Sequence, residues 1–387
     1  MKIYVLIQSR SSSSRLPFKS LLSIGEYFTI ELLYKRIFSK IYDTIVLTSE
    51  DNSDDYFSHL LKQKKIKVFR GNLLDVKRRF LSFSKNIKGE DIIVRLTGDN
   101  LFIDKDLIKL AISKMIESKK DYLFIGNKFS NLPLGISVEI FKNSHFVKNN
   151  NFSKMDKEHV TYSYDKLEKN SIKIEGEKKS WKKLVCTMDY LENYLSIKKA
   201  FESIKNPARI SWQKISNILQ KIEKKKISYE NKFNLISLKS KKLTKKNIID
   251  IANLKKQEWN FSLSSHVEHF KINFQKNDLN NMIYINDKLV GYTILRKKKT
   301  SKNKPYLLID TVIIHKDYRK KKIGAILMNF NNNEIFKNKL DAYLQCKSEH
   351  IEFYKKFYWK KFDKKNFLSI KNDKNLNLMC FYLDFRL

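Results

Sequence analysis

The chain has 387 residues, of which 42% are hydrophobic and 13% aromatic; this is enough for two folded domains and excludes a disordered polymer. It carries a formal net charge of +37. No apolar stretch reaches the length of a membrane span, and the first residues lack the apolar core of a secretory signal. Three cysteines, Cys186, Cys346 and Cys380, show neither metal-site nor disulfide spacing, so we expect a soluble cytoplasmic protein with reduced thiols.

The positive charge consists mainly of lysine, spread along the chain together with abundant asparagine and isoleucine. This mixture indicates compositional drift at tolerant surface positions. Because no zinc-finger spacing, aromatic RNA-binding motif or basic zipper accompanies it, we expect no specific nucleic-acid partner and no membrane partner. The same charge favours small anionic substrates. The sequence is compatible with a homodimer but does not require one.

The first 200 residues alternate short apolar strands with stretches of helical period. The predicted strands are KIYVLIQ, DTIVLTSE, IKVFRG and DIIVRLTGD, and the predicted helices are Ile30–Ser39, Asp54–Lys64 and Asp75–Lys85. This order predicts a Rossmann-like α/β domain with a mainly parallel sheet and ligands at the carboxyl ends of the strands. We predict that the domain spans residues 1–233 and that Ile197–Lys226 forms a closing helix before a linker.

The loop after the first strand, QSRSSSSRLPFKS, places Arg10, Arg15 and Lys19 around a run of four serines. A loop between a strand and a helix presents backbone amides to an anion. This loop lacks the glycine patterns of ATPases and dinucleotide-binding folds. Three cations nevertheless suit a triphosphate, whose leaving pyrophosphate gains negative charge in the transition state. A solvated serine-rich loop with incidental cations is the alternative.

The same loop resembles the signature of the cytidylyltransferases that make CMP-activated sugars, most closely the spore-coat-polysaccharide type. That type is related to the CMP-sialic-acid and CMP-Kdo synthetases. Further segments agree in the same order: VFRGNLLDVKRRF, VRLTGDNLFID, LPLGISVEIF, KEHVTYSY and CTMDYLENY. The resemblance covers about the first 200–230 residues and implies a nucleotidyltransferase fold, CTP as the donor and a divalent metal.

The candidate site residues follow from this resemblance together with their chemistry. Asp99 ends a predicted strand and offers the hard oxygen ligand that Mg²⁺ prefers, and the resemblance gives Asp189 as the second metal ligand. Arg15 and Lys19, which we class as catalytic with Asp99, would hold the β- and γ-phosphates. The expected nucleotide-binding residues are Gln8, Arg10, Ser11, Ser12, Ser13, Thr48, Ser49 and Gly98. The expected sugar-binding residues are Arg70, Arg79, Glu139 and His159. The alternatives are turn or cap roles for the aspartates and a packing role for His159.

Two segments depart from the family pattern. Asn100-Leu101 stands where a small residue and proline are usual, and Leu134 and Ser137 replace polar or acidic residues near Gly135. These departures leave the CTP and metal residues intact but put the sugar in doubt. We expect transfer of CMP to a nonulosonic acid, with another polysaccharide-precursor sugar as the second choice.

Two other functions stay open for this half. A nucleotide-sugar-dependent glycosyltransferase is the enzymatic alternative, but TGDN lacks the second aspartate of an Asp-x-Asp metal motif. Such an enzyme also has no pyrophosphate leaving group for the three cations. The non-enzymatic alternative is a basic scaffold that binds nucleic acid and carries a relic second domain.

Residues 234–387 begin again with strands of their own, MIYIND, KLVGYTILRK and YLLIDTVIIH, and we predict a second, α+β domain there. Its segment LLIDTVIIHKDYRKKKIGAILMNF resembles the acetyl-coenzyme A motif of GNAT-type N-acetyltransferases, with Lys322 in place of the first glycine. The expected acetyl-CoA-binding residues are Val312, Ile314, Arg319, Lys320, Lys322, Gly324 and Ala325. In LQCKSEHIEFYKKFYWKKF, Tyr354 stands at the family's usual tyrosine and would protonate the thiolate, and Asp310 is the candidate base for an amino-sugar acceptor. The alternatives are core packing for Tyr354 and, for the whole domain, a folded relic or a pure interaction domain.

Overall fold

The structure is a computed structural model that describes residues 1–149, 153–164, 167–222, 232–273, 275–300, 303–362 and 376–383. The chain separates into two compact units, Met1–Glu230 and Asn231–Leu387. Our boundary after residue 233 stays a prediction, and the first strand of the second unit begins at Phe233. None of the helices in the described ranges has the length and hydrophobicity of a membrane span.

The first unit alternates strands and helices in its first half, as predicted. Its strands are β1 Ile3–Gln8, β2 Ser23–Ile24, β3 Tyr27–Phe28, β4 Asp43–Ser49, β5 Lys67–Gly71, β6 Ile92–Thr97, β7 Tyr122–Ile125 and β8 Val138–Lys142. Its helices are α1 Thr29–Ile37, α2 Asp55–Gln63, α3 Val76–Ser84, α4 Lys105–Ser118, α5 Asn143–Lys148, α6 Lys154–His159, α7 Leu191–Glu202 and α8 Trp212–Ile222. All four strands and three helices predicted before residue 100 are present, with ends shifted by a few residues at most.

Six strands form one sheet in the order β5-β4-β1-β6-β8-β7. Strands β5, β4, β1 and β6 are parallel, whereas β8 pairs antiparallel with both β6 and β7. The predicted mainly parallel sheet is therefore confirmed. Ile7 of β1 lies opposite Val46 of β4 and Leu96 of β6, so the three strands end side by side. Their carboxyl ends form the edge where the candidate site lies.

The prediction of one closing helix over Ile197–Lys226 was wrong in its described part. Helix α7 ends at Glu202 and α8 begins at Trp212. Pro207 lies between them, and proline excludes the preceding residue from helical conformation. The Asp104 carboxylate accepts a hydrogen bond from the Trp212 amide at 2.8 Å and so fixes the start of α8. Residues 223–226 lie outside the described ranges.

The second unit contains a seven-stranded sheet in the order β14-β15-β13-β12-β11-β10-β9. The strands are β9 Phe233–Lys239, β10 Leu279–Ile285, β11 Lys288–Lys299, β12 Pro305–Ile314, β13 Ala342–Cys346, β14 Lys360–Phe362 and β15 Asn377–Phe381. The helices are α9 Lys245–Lys256, α10 Leu263–Asn273, α11 Ile323–Asn338 and α12 Ile351–Lys355. The three predicted strands are confirmed as β10, β11 and β12, and the helix predicted near Gly324 is α11.

Two irregularities of β12 shape the second unit. Its parallel pairing with β13 covers only Leu307–Ile309, although β12 continues to Ile314 alongside β11. The register between β11 and β12 shifts at Leu295, where Asp310 is the extra residue between Ile309 and Thr311. A bulge of this kind re-aims the side chain that it carries.

Candidate active site

A cleft of about 740 Å³ lies at the carboxyl ends of β1 and β6 in the first unit. The predicted site residues that line it are Gln8, Arg10, Ser13, Arg15, Lys19, Arg79, Gly98, Asp99, His159 and Asp189. Its lining also includes Ser9, Ser14, Val76, Arg95, Thr97, Asn100, Gly135, Glu158 and Thr187, which the sequence analysis did not assign. The loop after β1 and the TGD segment after β6 thus face the same space.

Lys19 joins the two predicted metal ligands at the centre of this cleft. Its Nζ lies 2.6 Å from Asp99 Oδ2 and 3.3 Å from Asp189 Oδ1. Arg15 adds a second cation, with its Nη2 2.9 Å from the same Asp189 oxygen. The Arg15 side chain stays 54% exposed, whereas the Lys19 side chain is 14% exposed. Two carboxylates and two cations therefore form one cluster, although Lys19 and Asp189 alone are 170 positions apart in sequence.

The backbone of the loop after β1 is closed on itself, which fixes Lys19. The Phe18 amide donates to the Ser11 carbonyl at 2.9 Å, and Phe18 has the left-handed φ of 54° that such a tight return needs. The Thr29 hydroxyl donates to the Lys19 carbonyl at 2.6 Å. These contacts hold the Lys19 backbone in place, so little conformational entropy remains to be lost when an anion binds.

Backbone pairing also brings Asp189 to Asp99. The Cys186 amide donates to the Leu134 carbonyl at 2.7 Å, and the Met188 amide donates to the Asp99 carbonyl at 3.2 Å. Gly135 makes this approach possible, because it has a φ of +102° and a Cβ there would lie 2.8 Å from the Thr187 nitrogen. The TMD segment is therefore held against the TGD segment by backbone hydrogen bonds.

Gly98 has a packing role at the same edge. A Cβ at this position would lie 2.8 Å from the Ser9 hydroxyl oxygen, and the Gly98 amide donates to the Gln8 carbonyl at 2.9 Å. The glycine lets the ends of β1 and β6 approach closely.

Asp54, which the sequence analysis did not single out, anchors the serine run. Its fully buried carboxylate accepts a hydrogen bond from the Ser11 amide at 2.8 Å and one from the Thr48 hydroxyl at 2.9 Å. The Ser49 amide donates to it at 3.1 Å, and the Ser49 hydroxyl is a further donor. Thr48, Ser49 and Ser11 therefore serve to bind Asp54, and none of them lines the cleft.

A second buried network orients Gln8. The Arg95 guanidinium donates to Gln8 Oε1 and also contacts Glu139, with Nη1 2.5 Å from Oε2. The Thr161 hydroxyl donates to the same Glu139 oxygen at 2.6 Å. Glu139 is 3% exposed, so the structure does not place this predicted sugar-binding residue in the cleft. It balances the charge of Arg95 instead.

Arg70 and Arg79 are bound largely by backbone carbonyls. Arg70 donates to the Ser49 and Asp51 carbonyls and pairs with Asp55 at 2.6 Å, and it does not line the cleft. Arg79 does line it, but its Nη2 donates to the Asn72 carbonyl at 2.7 Å. Burial lowers the pKa of Arg79 to about 10, which leaves it charged near neutral pH.

Ser12, a predicted nucleotide-binding residue, is exposed and lies outside the cleft lining.

The electrostatics of Asp99 favour its charged form. Burial alone would raise the pKa of this carboxyl, but the Lys19 charge, the hydrogen bond from Lys19 and that from Thr97 outweigh burial and lower it. The Asp99 and Asp189 oxygens lie around one cation position, which Lys19 Nζ contacts. This donor set fits magnesium, which usually takes one or two protein carboxylates and completes its shell with phosphate and water. The described residues contain no group of three or more His, Cys, Asp or Glu side chains suited to a metal.

In the second unit the predicted acetyl-CoA residues follow one another along β12, the next turn and α11. Val312 and Ile314 lie beyond the point where β12 parts from β13. Arg319 donates to the Ile314 carbonyl at 3.1 Å and pairs with Glu258. Lys320 and Lys322 have positive φ values of 60° and 64°, and Lys322 caps α11. Gly324 packs near Phe353, where a Cβ would meet the ring at 3.4 Å, and Ala325 is buried in the first turn.

Asp310 and Tyr354 have contrasting surroundings. The Asp310 carboxylate lies 2.7 Å from the Nε of Arg296, and its side chain is 43% exposed in a cavity of about 670 Å³. Tyr354 is 8% exposed and contacts the rings of Phe353 and Trp359. Burial raises the pKa of Tyr354, so the phenol stays protonated near neutral pH. Tyr354 is not part of the lining of that cavity.

Comparison with known proteins agrees with this geometry. The sequence model of the cytidylyltransferase family matches residues 4–205, and that of the acetyltransferase (GNAT) family matches residues 248–358. The spore coat polysaccharide biosynthesis protein SpsF of Bacillus subtilis is 28% identical over 232 residues, covering 57% of this chain and 94% of SpsF. An uncharacterised protein of Methanocaldococcus jannaschii is 36% identical over 170 residues, covering 43% of this chain and 68% of that protein.

A solved structure supports the fold of the first unit. The cytidylyltransferase of Leptospira borgpetersenii superposes with a TM-score of 0.52 at 27% identity, covering 59% of this chain and 99% of that chain. The first family model matches more than half of the chain, and its matched range contains all the residues that line the cleft. The chain therefore belongs to the cytidylyltransferase family and carries a GNAT acetyltransferase domain in its second unit, which makes it a transferase.

Proposed function

We propose that the first unit transfers CMP from CTP to a sugar acid, of nonulosonic type as first choice, and releases pyrophosphate. The observation that carries the proposal is the contact of Lys19 Nζ with Asp99 and Asp189 beside the loop after β1. The cation-rich loop suits the phosphates of a metal-nucleotide complex, and the pair of carboxylates in the same cleft suits its metal ion. Membership of the cytidylyltransferase family supports CTP as the donor.

The residues of this cleft would divide the work as follows. Arg10, Arg15 and Lys19 would hold the phosphates, which keeps the leaving pyrophosphate in line with the attacking sugar hydroxyl. The sugar oxygen forms a bond to the α-phosphorus, the bond to the bridging oxygen breaks, and the hydroxyl proton passes to solvent. Asp99 and Asp189 would hold magnesium, which when bound supplies charge stabilisation at the α-phosphate.

A panel of sugar acids with CTP and Mg²⁺, scored for pyrophosphate release by the full chain, tests the proposal. We expect release that requires CTP, the metal and an acidic sugar together. Neutral hexoses are the control for the choice of acceptor, and UTP is the control for the choice of nucleobase. Release of a nucleoside diphosphate from a nucleotide sugar without pyrophosphate would favour the glycosyltransferase instead. No pyrophosphate with any acidic sugar would overturn the sugar-acid assignment.

We further propose that the second unit acetylates the amine of an amino sugar. The observation that favours it is the divergence of β12 from β13 after Ile309, which leaves backbone of β12 beside the Asp310 cavity for the pantetheine arm. The amine nitrogen would attack the thioester carbon, the carbon–sulfur bond would break, and coenzyme A would leave. Asp310 would take the proton of the incoming ammonium and Tyr354 would supply the proton of the thiol.

Titration of the full chain with acetyl-CoA in a calorimeter tests this second function. Binding followed by amine-dependent release of free thiol is the expected result. Tyr354→Phe should slow thiol release while acetyl-CoA affinity stays within about twofold, because the phenol proton matters only in the transfer step. Absence of binding at millimolar acetyl-CoA by a folded protein would leave only the relic interpretation.

A further inference from the structure

The cavity beside Asp310 carries two exposed aromatic side chains. Trp259 is 44% exposed and Phe261 is 61% exposed, and both line the cavity. They lie in the segment between α9 and α10. Large apolar faces left open to water are costly, and they are typical of ligand-binding surfaces when they cluster in a concave site.

Hydrogen bonds hold this aromatic pair in place. The Trp259 amide donates to the Lys255 carbonyl at 3.0 Å, and the Phe261 amide donates to the Trp259 carbonyl at 2.8 Å. His266 Nε2 lies 3.1 Å from the same Trp259 carbonyl. Because a carbonyl only accepts, His266 must donate from Nε2, which fixes its tautomer when the ring is neutral. The segment is therefore pre-organised and offers two flat faces suited to the apolar side of a pyranose ring.

The charges in the same lining favour an anion. Three cationic side chains, Lys255, Arg296 and Lys298, face a single carboxylate, that of Asp310. Lys255 is only 7% exposed, unlike the solvated lysines that account for the overall charge of the chain. Burial lowers the pKa of Lys255, and a bound anion would offset that cost. Arg296 is paired with both Asp310 and Asp278. We assign Lys255 and Lys298 to the ligand because both line the cavity and neither of them needs to leave those ion pairs to contact an anion.

We propose that this cavity binds an amino sugar that carries a carboxylate or a phosphate, with its ring packed on Trp259 and Phe261. The proposal rests on the acetyltransferase function proposed above and narrows its acceptor. Asp310 stands in the same cavity at the bulge of β12, so a ring packed on the aromatic pair can bring its amine to the carboxylate. A sugar acid is also the class of acceptor proposed for the first unit, so both units would bind a sugar that carries an acidic group.

Three amines that differ only at C6 test the proposal with the full chain and acetyl-CoA. They are glucosamine, glucosamine 6-phosphate and 2-amino-2-deoxyglucuronic acid, with a 5-amino nonulosonic acid and spermidine added. Thiol release gives kcat/KM for each. We expect kcat/KM for an anionic sugar to exceed that for glucosamine by about 10-fold or more, because a charge-assisted hydrogen bond contributes that much. Comparison of glucosamine 6-phosphate with 2-amino-2-deoxyglucuronic acid identifies whether the cavity prefers a phosphate or a carboxylate.

Variants separate recognition from folding. Lys298→Met should raise KM for the preferred anionic sugar by about 10-fold or more and should change KM for glucosamine by a much smaller factor. Lys297→Met is the matched control, since Lys297 is exposed on the same strand and lies outside the cavity lining. Trp259→Ala should lower kcat/KM for all the sugars but not for spermidine. Thermal melting checks that each variant is folded.

The outcomes distinguish this inference from the function on which it rests. Equal rates for glucosamine and the anionic sugars, or a preference for spermidine, would overturn the acidic acceptor and leave the acetyltransferase standing. An equal loss of rate with neutral and anionic sugars in Lys298→Met would also overturn the acidic acceptor and leave the acetyltransferase standing. No thiol release with any amine, although acetyl-CoA binds, would overturn sugar-amine acetylation itself and this inference with it.

Discussion

The Arg95 guanidinium donates two hydrogen bonds to one atom of Gln8, from Nε at 3.1 Å and from Nη2 at 2.9 Å to Oε1. Because Arg95 only donates, it fixes the amide so that the Gln8 nitrogen points away from it. Gln8 lines the cleft, so this geometry presents N–H donors to a ligand there. Arg95 is thus a positioning residue for Gln8.

The first prediction follows from this orientation. Gln8→Glu replaces the donating amide by a carboxylate, and we expect KM for CTP or for the sugar acid to rise by about 10-fold or more. Steady-state pyrophosphate release measures KM for CTP and KM for the sugar acid. Gln63→Glu introduces the same charge outside the cleft and should leave them unchanged. Unaltered constants in Gln8→Glu would contradict a ligand contact at Gln8.

The second prediction concerns the carboxylate of Asp99, which contacts Lys19 in the cleft. Asp99→Asn keeps the shape of the side chain but removes its charge, and we expect the rate of pyrophosphate release to fall about 100-fold or more. A magnesium titration of both proteins checks whether the loss includes weaker metal dependence. Asp106→Asn, at an exposed position in the first turn of α4, is the control. Full activity of Asp99→Asn, or of the wild type in excess chelator, would count against the metal role of Asp99.

A third prediction uses the lowered pKa of Asp99. A carboxyl whose pKa is lower in the folded state contributes stability above its unfolded-state pKa, and this stability is lost as the pH falls through the folded value. Lys19 is the main charge that lowers this pKa, so Lys19→Met should melt at a lower temperature than the wild type at neutral pH. The difference should begin to shrink below about pH 4, where the carboxyl of the unfolded chain protonates, and should disappear only below the lowered pKa of the folded wild type. A constant difference down to pH 2.5 would show that the pair contributes no linked stability.

The fourth prediction concerns the backbone at Lys322, whose φ is 64°. A side chain in the left-handed region costs about 1 kcal/mol relative to glycine. Lys322→Gly should therefore raise the free energy of unfolding of the second unit by about that amount, measured by urea titration. Lys321→Gly, at an exposed neighbour outside the positive-φ set, should lower stability or leave it unchanged. Equal effects of the two substitutions would show that the conformation of Lys322 carries no cost.

Short-range patterns predicted the strands, the helices and the positions of Lys19 and Asp99, whereas Asp189 followed from the family resemblance alone. Apolar runs define buried strands, and in a parallel sheet their carboxyl ends must meet at one edge. Charged residues that follow several such strands are thereby brought together, whatever their separation in sequence. The same reasoning failed for α7 and α8, where the helical period continued through residues that Pro207 keeps out of a helix.

The sequence could not separate residues that face a ligand from residues that hold the site together. Thr48 and Glu139 are buried and bonded to Asp54 and Arg95, partners that no local pattern reveals. A usable signal did exist for Arg95, since it is a lone charge inside the apolar run of β6. Asp54 stands among several acidic neighbours, and only the folded structure distinguishes it.

Asp54 has a consequence for anyone who wishes to redesign this protein. One carboxylate receives hydrogen bonds from the loop after β1 and from the end of β4, so the two segments cannot be exchanged independently. A loop grafted from a relative with a different serine run would leave Asp54 with fewer donors in a buried position. Such a graft should be made together with positions 48, 49 and 54, as a single transferable block.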